Sequence, residues 1–228
     1  MRSTLPHPLP SVKPVDRDEL NAYLDRVLVG GREPARVRVV AYRPEWADRF
    51  EVERGRVAEA LRDAAGEIEH IGSTAVPGLA AKPIVDMLVA VTDPGDPEVR
   101  SALERAGYVL RVDEPGHRMF RTPARDVHIH VWPSASPEVH RHLAFRDRLR
   151  TSEPDRRAYE QLKRELAARD WEDMNHYAQA KGELIEAILR RAAIQADSVA
   201  SSALRAGSAA NCSSCARMDS SSSSKRSA

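Results

Sequence analysis

The sequence predicts an α+β domain in which a small mixed β-sheet is followed by a helical segment. Short apolar runs with strand character occupy the middle of the chain, and three long helical patterns come after them. The 228 residues are 42% hydrophobic and 30% charged, which is enough apolar material for one folded core. We therefore expect one main domain, with additional segments at the ends of the chain.

Three zones differ in composition. Residues 1–36 predict an N-terminal arm with one short helix over residues 16–29, which either docks on the main body or remains loose. Residues 37–193 carry nearly all the periodic apolar patterning and are the predicted folded domain. Residues 194–228 are rich in serine and poor in large apolar side chains, so they predict a disordered tail.

Helix and strand patterns alternate in the first part of the folded zone. The run 37–40 predicts a short extended piece. A stripe of large apolar side chains predicts a helix over residues 44–65. Strands are predicted over residues 67–71, 83–91 and 108–112, with a loop over 72–81 and a helix over 97–106.

A hairpin and three helices complete the predicted domain. Residues 118–121 and 126–132 are expected to pair around a turn at residues 122–125. Helices are predicted over residues 137–150, 154–169 and 171–193. Ser136 and Ser152 are the candidate N-caps of the first two helices.

Charge and cysteine usage exclude several classes of protein. The 35 basic and 34 acidic residues give a formal net charge of +1, whereas general nucleic-acid binders usually carry a basic excess. No run approaches the roughly 18 apolar residues of a membrane span, and residues 1–10 lack an apolar signal core. The two cysteines, Cys212 and Cys215, lie in the Ser-rich tail, which suits a reducing cytoplasm.

The most informative segment is a loop of small residues between two predicted strands, with the sequence HIGSTAVPGLAAKPIVD from His70. Gly72 allows a phosphate to approach the backbone closely, because it has no side chain. Ser73 and Thr74 place hydroxyls beside backbone N–H groups, which can form an anion-binding nest, and Lys82 adds a positive charge. The segment therefore predicts a phosphate or nucleotide site formed by His70, Gly72, Ser73, Thr74 and Lys82, although Gly-Ser followed by Pro and Gly can also be only a turn.

Asp86 interrupts the apolar run over residues 83–91. An ionised carboxylate is costly to bury alone, so a partner is expected. A divalent cation is one such partner, and Mg²⁺ characteristically bridges carboxylates to substrate phosphates. The alternative is an aspartate at a strand end that hydrogen-bonds to the backbone. The combination of this carboxylate with a polar glycine loop on adjacent strands favours a functional site.

A second set of ligand-type side chains follows on the last predicted strand. Asp126, His128 and His130 share one face, because strand side chains alternate. If that face meets Asp86, one carboxylate and two imidazoles converge, and this set favours Zn²⁺ or another transition metal such as Mn²⁺ over Mg²⁺. The same histidines could instead act as a general base or contact phosphate, or merely line a polar groove.

Several basic side chains are candidates for the same cleft. Arg118 lies on the partner strand of the predicted hairpin, and its guanidinium suits phosphate binding. Tyr159 with Lys163, and Tyr177 with Lys181, are spaced i,i+4 and each pair shares one helix face. Both pairs are expected either to close the cleft from the helical side or to serve ordinary helix packing.

Helical spacing separates two further histidines. His140 and His142 are two positions apart in a predicted helix, so their side chains point to different faces. They are therefore expected to be a poor pair of metal ligands.

The run HIGSTAVPGLAAKPIVDMLV closely resembles the signature of the GrpB family, a group within the nucleotidyltransferase superfamily. The resemblance extends from about residue 37 to residue 193. It also includes Tyr42, Trp46, Gly107-Tyr108, Phe145-Arg146-Asp147, Leu149-Arg150, Tyr177 and Lys181. It implies a nucleotidyltransferase-like sheet flanked by helices, with the C-terminal helices packing beside it. Family members also occur fused to dephospho-coenzyme A kinase, but this chain shows no Gly-x-x-x-x-Gly-Lys-Ser/Thr loop, so the resemblance does not imply a kinase.

The superfamily resemblance also implies a chemical layout. A Gly-Ser motif holds nucleotide phosphates, and strand carboxylates hold two metal ions that assist attack on a nucleoside triphosphate. Gly72 and Ser73 match the first element and Asp86 matches the first carboxylate, but the second carboxylate position is Leu88.

Three functions are compatible with this layout. The first is binding of a nucleotide or another phosphorylated small molecule, with metal-assisted transfer of a nucleotidyl group. The second is a catalytically inactive helper module linked to coenzyme A or nucleotide metabolism. The third is a metal-dependent hydrolase that uses His128 and His130. No membrane or nucleic-acid partner is expected.

Overall fold

A five-stranded mixed sheet lies between residues 68 and 133. The computed structural model of the protein describes residues 16–34 and 36–195. The strands are β1 (Ile68–Ile71), β2 (Val85–Val91), β3 (Val109–Glu114), β4 (His117–Arg121) and β5 (Val127–Pro133). Their order is β1-β2-β5-β4-β3, with β2 and β5 parallel and the other neighbours antiparallel. The predicted mixed sheet and the predicted hairpin are confirmed.

Helices flank this sheet in the described residues. They are α1 (Arg17–Val27), α2 (Glu45–Leu61), α3 (Pro97–Arg105), α4 (Pro137–Thr151), α5 (Glu153–Ala167) and α6 (Met174–Gln179), and residues 182–195 are also helical. The hydroxyls of Ser136 and Ser152 accept backbone N–H bonds at the starts of α4 and α5, as predicted. The α+β prediction with C-terminal helices is therefore confirmed.

Two predicted elements differ from the structure. The run 37–40 forms no strand, because only Val40 pairs with another segment, through two backbone hydrogen bonds to Ala81. The predicted helix over residues 171–193 is interrupted. Asp173 caps a new helix by accepting from the N–H of Asn175, and a turn at residues 180–181 precedes Gly182, whose lack of a side chain weakens a continuous helix.

The two faces of the sheet have different roles. One face packs against α2 and α3 and forms the main core, to which β2 contributes Met87 and Val89 and β5 contributes Ile129 and Val131. Because strand side chains alternate, Asp86 and Leu88 of β2 and His128 and His130 of β5 lie on the opposite face. That second face is partly covered by α4 and carries the side chains of the candidate site.

The described part of the N-terminal arm, residues 16–34, docks on the sheet. Leu24, Val27 and Leu28 form a small apolar cluster against Val112 of β3, and Leu28 makes an isolated bridge to Val112. One compact unit of the chain ends at Leu189. The next unit begins at residue 190, and its described residues, 190–195, are helical. Almost all of the predicted tail, with both cysteines, lies outside the described residues.

None of the helices in the described part of the chain combines the length and the apolar character that crossing a membrane requires.

Candidate functional site

Three ligand-type side chains converge on the second face of the sheet, and we call them the Asp-His-His triad: Asp86, His128 and His130. The parallel pairing of β2 and β5 sets Asp86 directly beside His128, with His130 two residues farther along. His128 Nδ1 lies 3.4 Å from Asp86 Oδ1, and His130 Nε2 lies 4.0 Å from the same oxygen. One ligand atom from each residue falls within 4.8 Å of the others. The predicted convergence is therefore observed.

The triad combines an ionised carboxylate with a neutral imidazole. Burial alone would raise the pKa of Asp86, but the hydrogen bond from His128 and the charge of Lys82 contribute to lowering that pKa to about 2. Burial, with the charges of neighbouring histidines, holds the pKa of His130 well below its usual value. The Asp86 side chain remains 30% exposed, so an ion can reach it from solvent. These are the protonation states in which aspartate and histidine bind metals.

Gly72 makes room for the Asp86 carboxylate. The preceding residue, Ile71, pairs opposite Asp86, so the chain turns directly beside that side chain. Gly72 has a φ of 68°, and a Cβ there would lie 2.5 Å from Asp86 Oδ2. The sequence pattern predicts that this glycine allows close approach of a phosphate. In the structure, the Asp86 carboxylate lies so close to Gly72 that no side chain fits at residue 72.

Ser73 faces the helices that follow the sheet. Its Oγ accepts a hydrogen bond from Lys163 Nζ at 3.1 Å and also bonds to the Tyr159 hydroxyl. Lys163 also donates to the carbonyl of Ala80, so α5 is tied to both ends of the loop. The i,i+4 pair of α5 therefore lies against the Gly-Ser turn.

Three lysines form what we call the lysine cluster: Lys82, Lys163 and Lys181. The Lys181 ammonium lies 4.6 Å from the ring centroid of Tyr177 and 5.9 Å from that of Tyr159, and the Lys82 ammonium lies 5.4 Å from that of Tyr177. Burial is the main cause that lowers the pKa of Lys163 to about 7 and that of both Lys82 and Lys181 to about 8. For Lys82 and Lys163, repulsion from the other cluster ammoniums adds to the shift.

His70 and Thr74 stabilise the loop instead of facing the triad. His70 pairs opposite Met87, whose side chain belongs to the main core, and its ring stacks on Phe50 with centroids 4.8 Å apart. His70 Nε2 is 3.1 Å from Thr74 Oγ1, which donates to the carbonyl of Ile84. The structure thus gives both predicted phosphate contacts a partner within the protein.

Arg118 lies on the other face of the sheet, which corrects the expectation that it faces the cleft. It pairs opposite Val131 of the main core, and its guanidinium bonds to Asp113 at 3.0 Å and to the carbonyl of Pro94 at 2.9 Å. The register of β4 instead sets Arg121 opposite His128.

Two histidines outside the predicted site lie beside His130. His117 Nε2 is 3.3 Å from His130 Nδ1, and His117 Nδ1 is 2.6 Å from a carboxylate oxygen of Glu114. The ring centroid of His142, on α4, is 6.1 Å from that of His130, whereas His140 is exposed. His140 and His142 do point apart, as expected, but His142 belongs to the surroundings of the triad. His117 could be assigned to this site from the sequence only if the exact register of the hairpin were known.

Comparison with known proteins identifies relatives of this chain. The family model described as GrpB protein matches residues 36–191. A UPF0157 protein of Streptomyces coelicolor is 49% identical over 166 residues, which cover 72% of this chain and 89% of the relative. The crystal structure of conserved protein GrpB from Enterococcus faecalis superposes with a TM-score of 0.59 at 34% identity, covering 68% of this chain and 96% of that one.

A more distant relative carries an enzyme's name. A dephospho-CoA kinase of Mycolicibacterium paratuberculosis is 28% identical over 202 residues. The match covers 72% of this chain but only 48% of that relative. About half of the relative therefore lies outside the similarity.

Proposed function

Because this chain belongs to the GrpB family, we propose that it binds a nucleotide or another phosphorylated small molecule together with one divalent metal ion. We further propose that the metal ion assists transfer of a nucleotidyl group. The observation that carries this proposal is the convergence of the Asp-His-His triad, with ligand atoms within 4.8 Å, next to the Gly-Ser turn. The ligand would occupy the cleft between the triad and the lysine cluster.

The donor set supports one transition metal ion. One carboxylate and two imidazoles suit Zn²⁺ or Mn²⁺ better than Mg²⁺, which prefers oxygen ligands. The second carboxylate position of the superfamily layout is Leu88, which has no exposed surface. The described residues therefore offer no second carboxylate at that position, and a two-metal arrangement has no support there.

Each group has a distinct part in the proposed chemistry. When bound, the metal ion would supply a Lewis acid for a phosphoryl oxygen. The ionised Asp86 carboxylate and the imidazoles of His128 and His130 would hold that ion. The Lys82 and Lys181 ammoniums would balance phosphate charge, and the Ser73 hydroxyl would orient a phosphate oxygen.

Metal binding tests the first half of the proposal. Chelator-treated protein would be titrated with Zn²⁺, Mn²⁺ and Mg²⁺ in a calorimeter. We expect binding of Zn²⁺ or Mn²⁺ that is tighter than that of Mg²⁺ and is abolished in Asp86→Asn. His140→Asn, an exposed histidine change on α4, is the matched control and should bind as the unaltered protein does. Metal binding that persists in Asp86→Asn would refute the site.

Turnover tests the second half. The protein would be incubated with a mixture of nucleoside triphosphates and the preferred metal, and released pyrophosphate and phosphate would be measured separately. Pyrophosphate release that Asp86→Asn abolishes supports nucleotidyl transfer when the nucleotidyl group is recovered on an acceptor from the mixture. Recovery of that group as free nucleoside monophosphate shows that water is the acceptor and indicates a hydrolase. Release of phosphate alone indicates a metal-dependent hydrolase.

A catalytically inactive helper module is the second candidate function. The observation that favours it is the burial of Leu88, since the superfamily layout uses a carboxylate pair at Asp86 and this position. Tight ligand binding without release of either product would support this candidate over the enzyme. The coenzyme A connection would be tested by including dephospho-coenzyme A among the ligands.

A further inference from the structure

The lysines of this protein are concentrated at one place. The sequence has five lysines against thirty arginines, and three of the five, Lys82, Lys163 and Lys181, lie in the described residues. All three belong to the lysine cluster, although they come from a loop, from α5 and from the turn at residues 180–181. Elsewhere in the described chain the long cationic side chains are arginines.

No carboxylate in the part of the chain that the structure describes forms a direct ion pair with the cluster, although the charges of Asp86 and Glu160 act on it from farther away. Among the described residues, no Asp or Glu oxygen lies within 4.0 Å of any of the three ammoniums, whereas many arginines of the same chain form ion pairs. Lys163 is 2% exposed and bonds to neutral oxygens, and Lys82 contacts the sulfur of Met174 at 2.8 Å. Buried cations without a counter-charge are costly for the protein alone.

The neighbouring charged groups are already engaged. Glu160 of α5 lies three residues before Lys163, and it accepts hydrogen bonds from Arg164 at 2.8 Å and from the N–H of Ala80 at 3.1 Å. Asp86 hydrogen-bonds to His128 and belongs to the triad. The hydroxyls of Tyr159 and Tyr177 stay neutral, because burial raises the pKa of both. A bound anion would supply the directly paired counter-charge that these groups leave open.

We propose that the lysine cluster binds the diphosphate or triphosphate group of the ligand. This inference rests on the proposed function, because it specifies the phosphorylated ligand of the same cleft, and it adds Lys163 to the binding residues. A phosphate monoester carries about two negative charges, whereas a diphosphate chain carries more and can span separate ammoniums. Three converging ammoniums beside the Ser73 hydroxyl therefore match a diphosphate chain better than a single phosphate.

Binding of an anion to the lysine cluster should change the number of protons bound to the lysines, and calorimetry can measure this change. Near pH 8 the cluster is only partly protonated, because burial lowers the pKa of Lys163 to about 7 and that of Lys82 and Lys181 to about 8. A polyanion favours the charged form of each ammonium and so raises these pKa values. Binding at pH 8 should then take up more protons in the unaltered protein than in a variant that lacks one cluster lysine, a comparison in which the protons released by the anion itself cancel.

Calorimetry with inorganic pyrophosphate tests the inference without any metal. Titrations in a chelator at pH 8, in two buffers of different ionisation enthalpy, give both the affinity and the proton uptake. We expect pyrophosphate to bind more tightly than inorganic phosphate, with a proton uptake that is smaller in Lys163→Met than in the unaltered protein. Lys163→Met should weaken pyrophosphate binding about ten- to hundredfold, the usual effect of losing a charge-assisted contact.

The matched control is Arg164→Met, which removes a neighbouring cation of α5 that pairs with Glu160 outside the cluster. We expect pyrophosphate affinity within about threefold of the unaltered protein, since surface charges act weakly through solvent. Lys181→Gln provides a second cluster variant, and thermal unfolding verifies that each variant is folded. Absence of pyrophosphate binding, or equal losses in Lys163→Met and Arg164→Met, would overturn the inference.

Separate metal titrations distinguish this inference from the proposed function. Lys163→Met should bind metal as the unaltered protein does, because Lys163 is not a member of the triad. Pyrophosphate binding without metal binding would refute the metal centre and leave the lysine site standing. Metal binding without pyrophosphate binding would refute the lysine site alone.

Discussion

Leu88 of β2 packs against Val139 of α4, in an apolar cluster that also includes Ile71. Leu88 lies on the same face of the sheet as Asp86 and only two residues beyond it. On the face of the sheet that carries the Asp-His-His triad, α4 thus covers the position next to Asp86. The position that would carry a second carboxylate in the superfamily layout belongs here to the hydrophobic core.

A carboxylate introduced at this position should destabilise the protein and add no metal site. Leu88→Asp places an ionisable group among apolar side chains, and we expect it to reduce the free energy of unfolding by about 4 kcal/mol or more. Leu88→Met, which conserves volume, should cost less than about 1.5 kcal/mol. Urea denaturation measures both. A stable Leu88→Asp protein that binds two metal ions would contradict this account.

The close contact between Gly72 and Asp86 predicts an effect on metal binding. Gly72→Ala should displace the carboxylate, because the added Cβ would lie 2.5 Å from Oδ2. Gly78 is the matched control, since it also has a positive φ, of 78°, but nothing lies within 4 Å of an added Cβ. Each variant should lose roughly 1–3 kcal/mol of stability from backbone strain, whereas only Gly72→Ala should lose metal affinity in the calorimeter. Equal metal affinities in the two variants would argue against the contact's role.

His117 is expected to position His130 for metal binding. His117 Nδ1 faces a carboxylate oxygen of Glu114, and His117 Nε2 faces His130 Nδ1, so in the tautomer in which His130 Nδ1–H donates to His117, His130 Nε2 is free to coordinate an ion. His117→Phe removes this bond but keeps a flat ring against Trp132, whose centroid lies 4.0 Å away.

The expected result for His117→Phe is a loss of metal affinity of about ten- to hundredfold, with a fold that remains intact. Calorimetry gives the affinity, and NMR of the His130 ring nitrogens reports which of them carries the proton. His140→Phe, a change at an exposed histidine, controls for the loss of an imidazole. An unchanged His130 tautomer in His117→Phe would count against the positioning role.

Burial of His70 predicts that stability falls in mild acid. Burial is the main cause that lowers its pKa from 6.5 to about 4. Between these values the unfolded chain binds more protons than the folded protein, so the free energy of unfolding should fall as the pH decreases from about 6.5 to about 4. His70→Asn should show a shallower fall in urea denaturations across that window. A slope unchanged by the substitution would show that His70 does not carry this effect.

The sequence alone predicted much of the sheet and the members of the triad. Strand alternation is a local property, so the shared face of His128 and His130 follows from their spacing. The single carboxylate in the apolar run likewise identified Asp86 as a residue in need of a partner. Adjacent placement of β2 and β5 was then sufficient to bring the three side chains together.

Tertiary structure decided the surroundings of the triad. Arg118 and Arg121 are three residues apart in one short strand, and only the register of β4 with β5 determines which of them lies beside His128, because a shift by one residue moves a side chain to the opposite face. The place of His117 beside His130 depends on the same hairpin. The convergence of the lysine cluster depends on how segments more than eighty residues apart pack together, and no local periodicity encodes that packing.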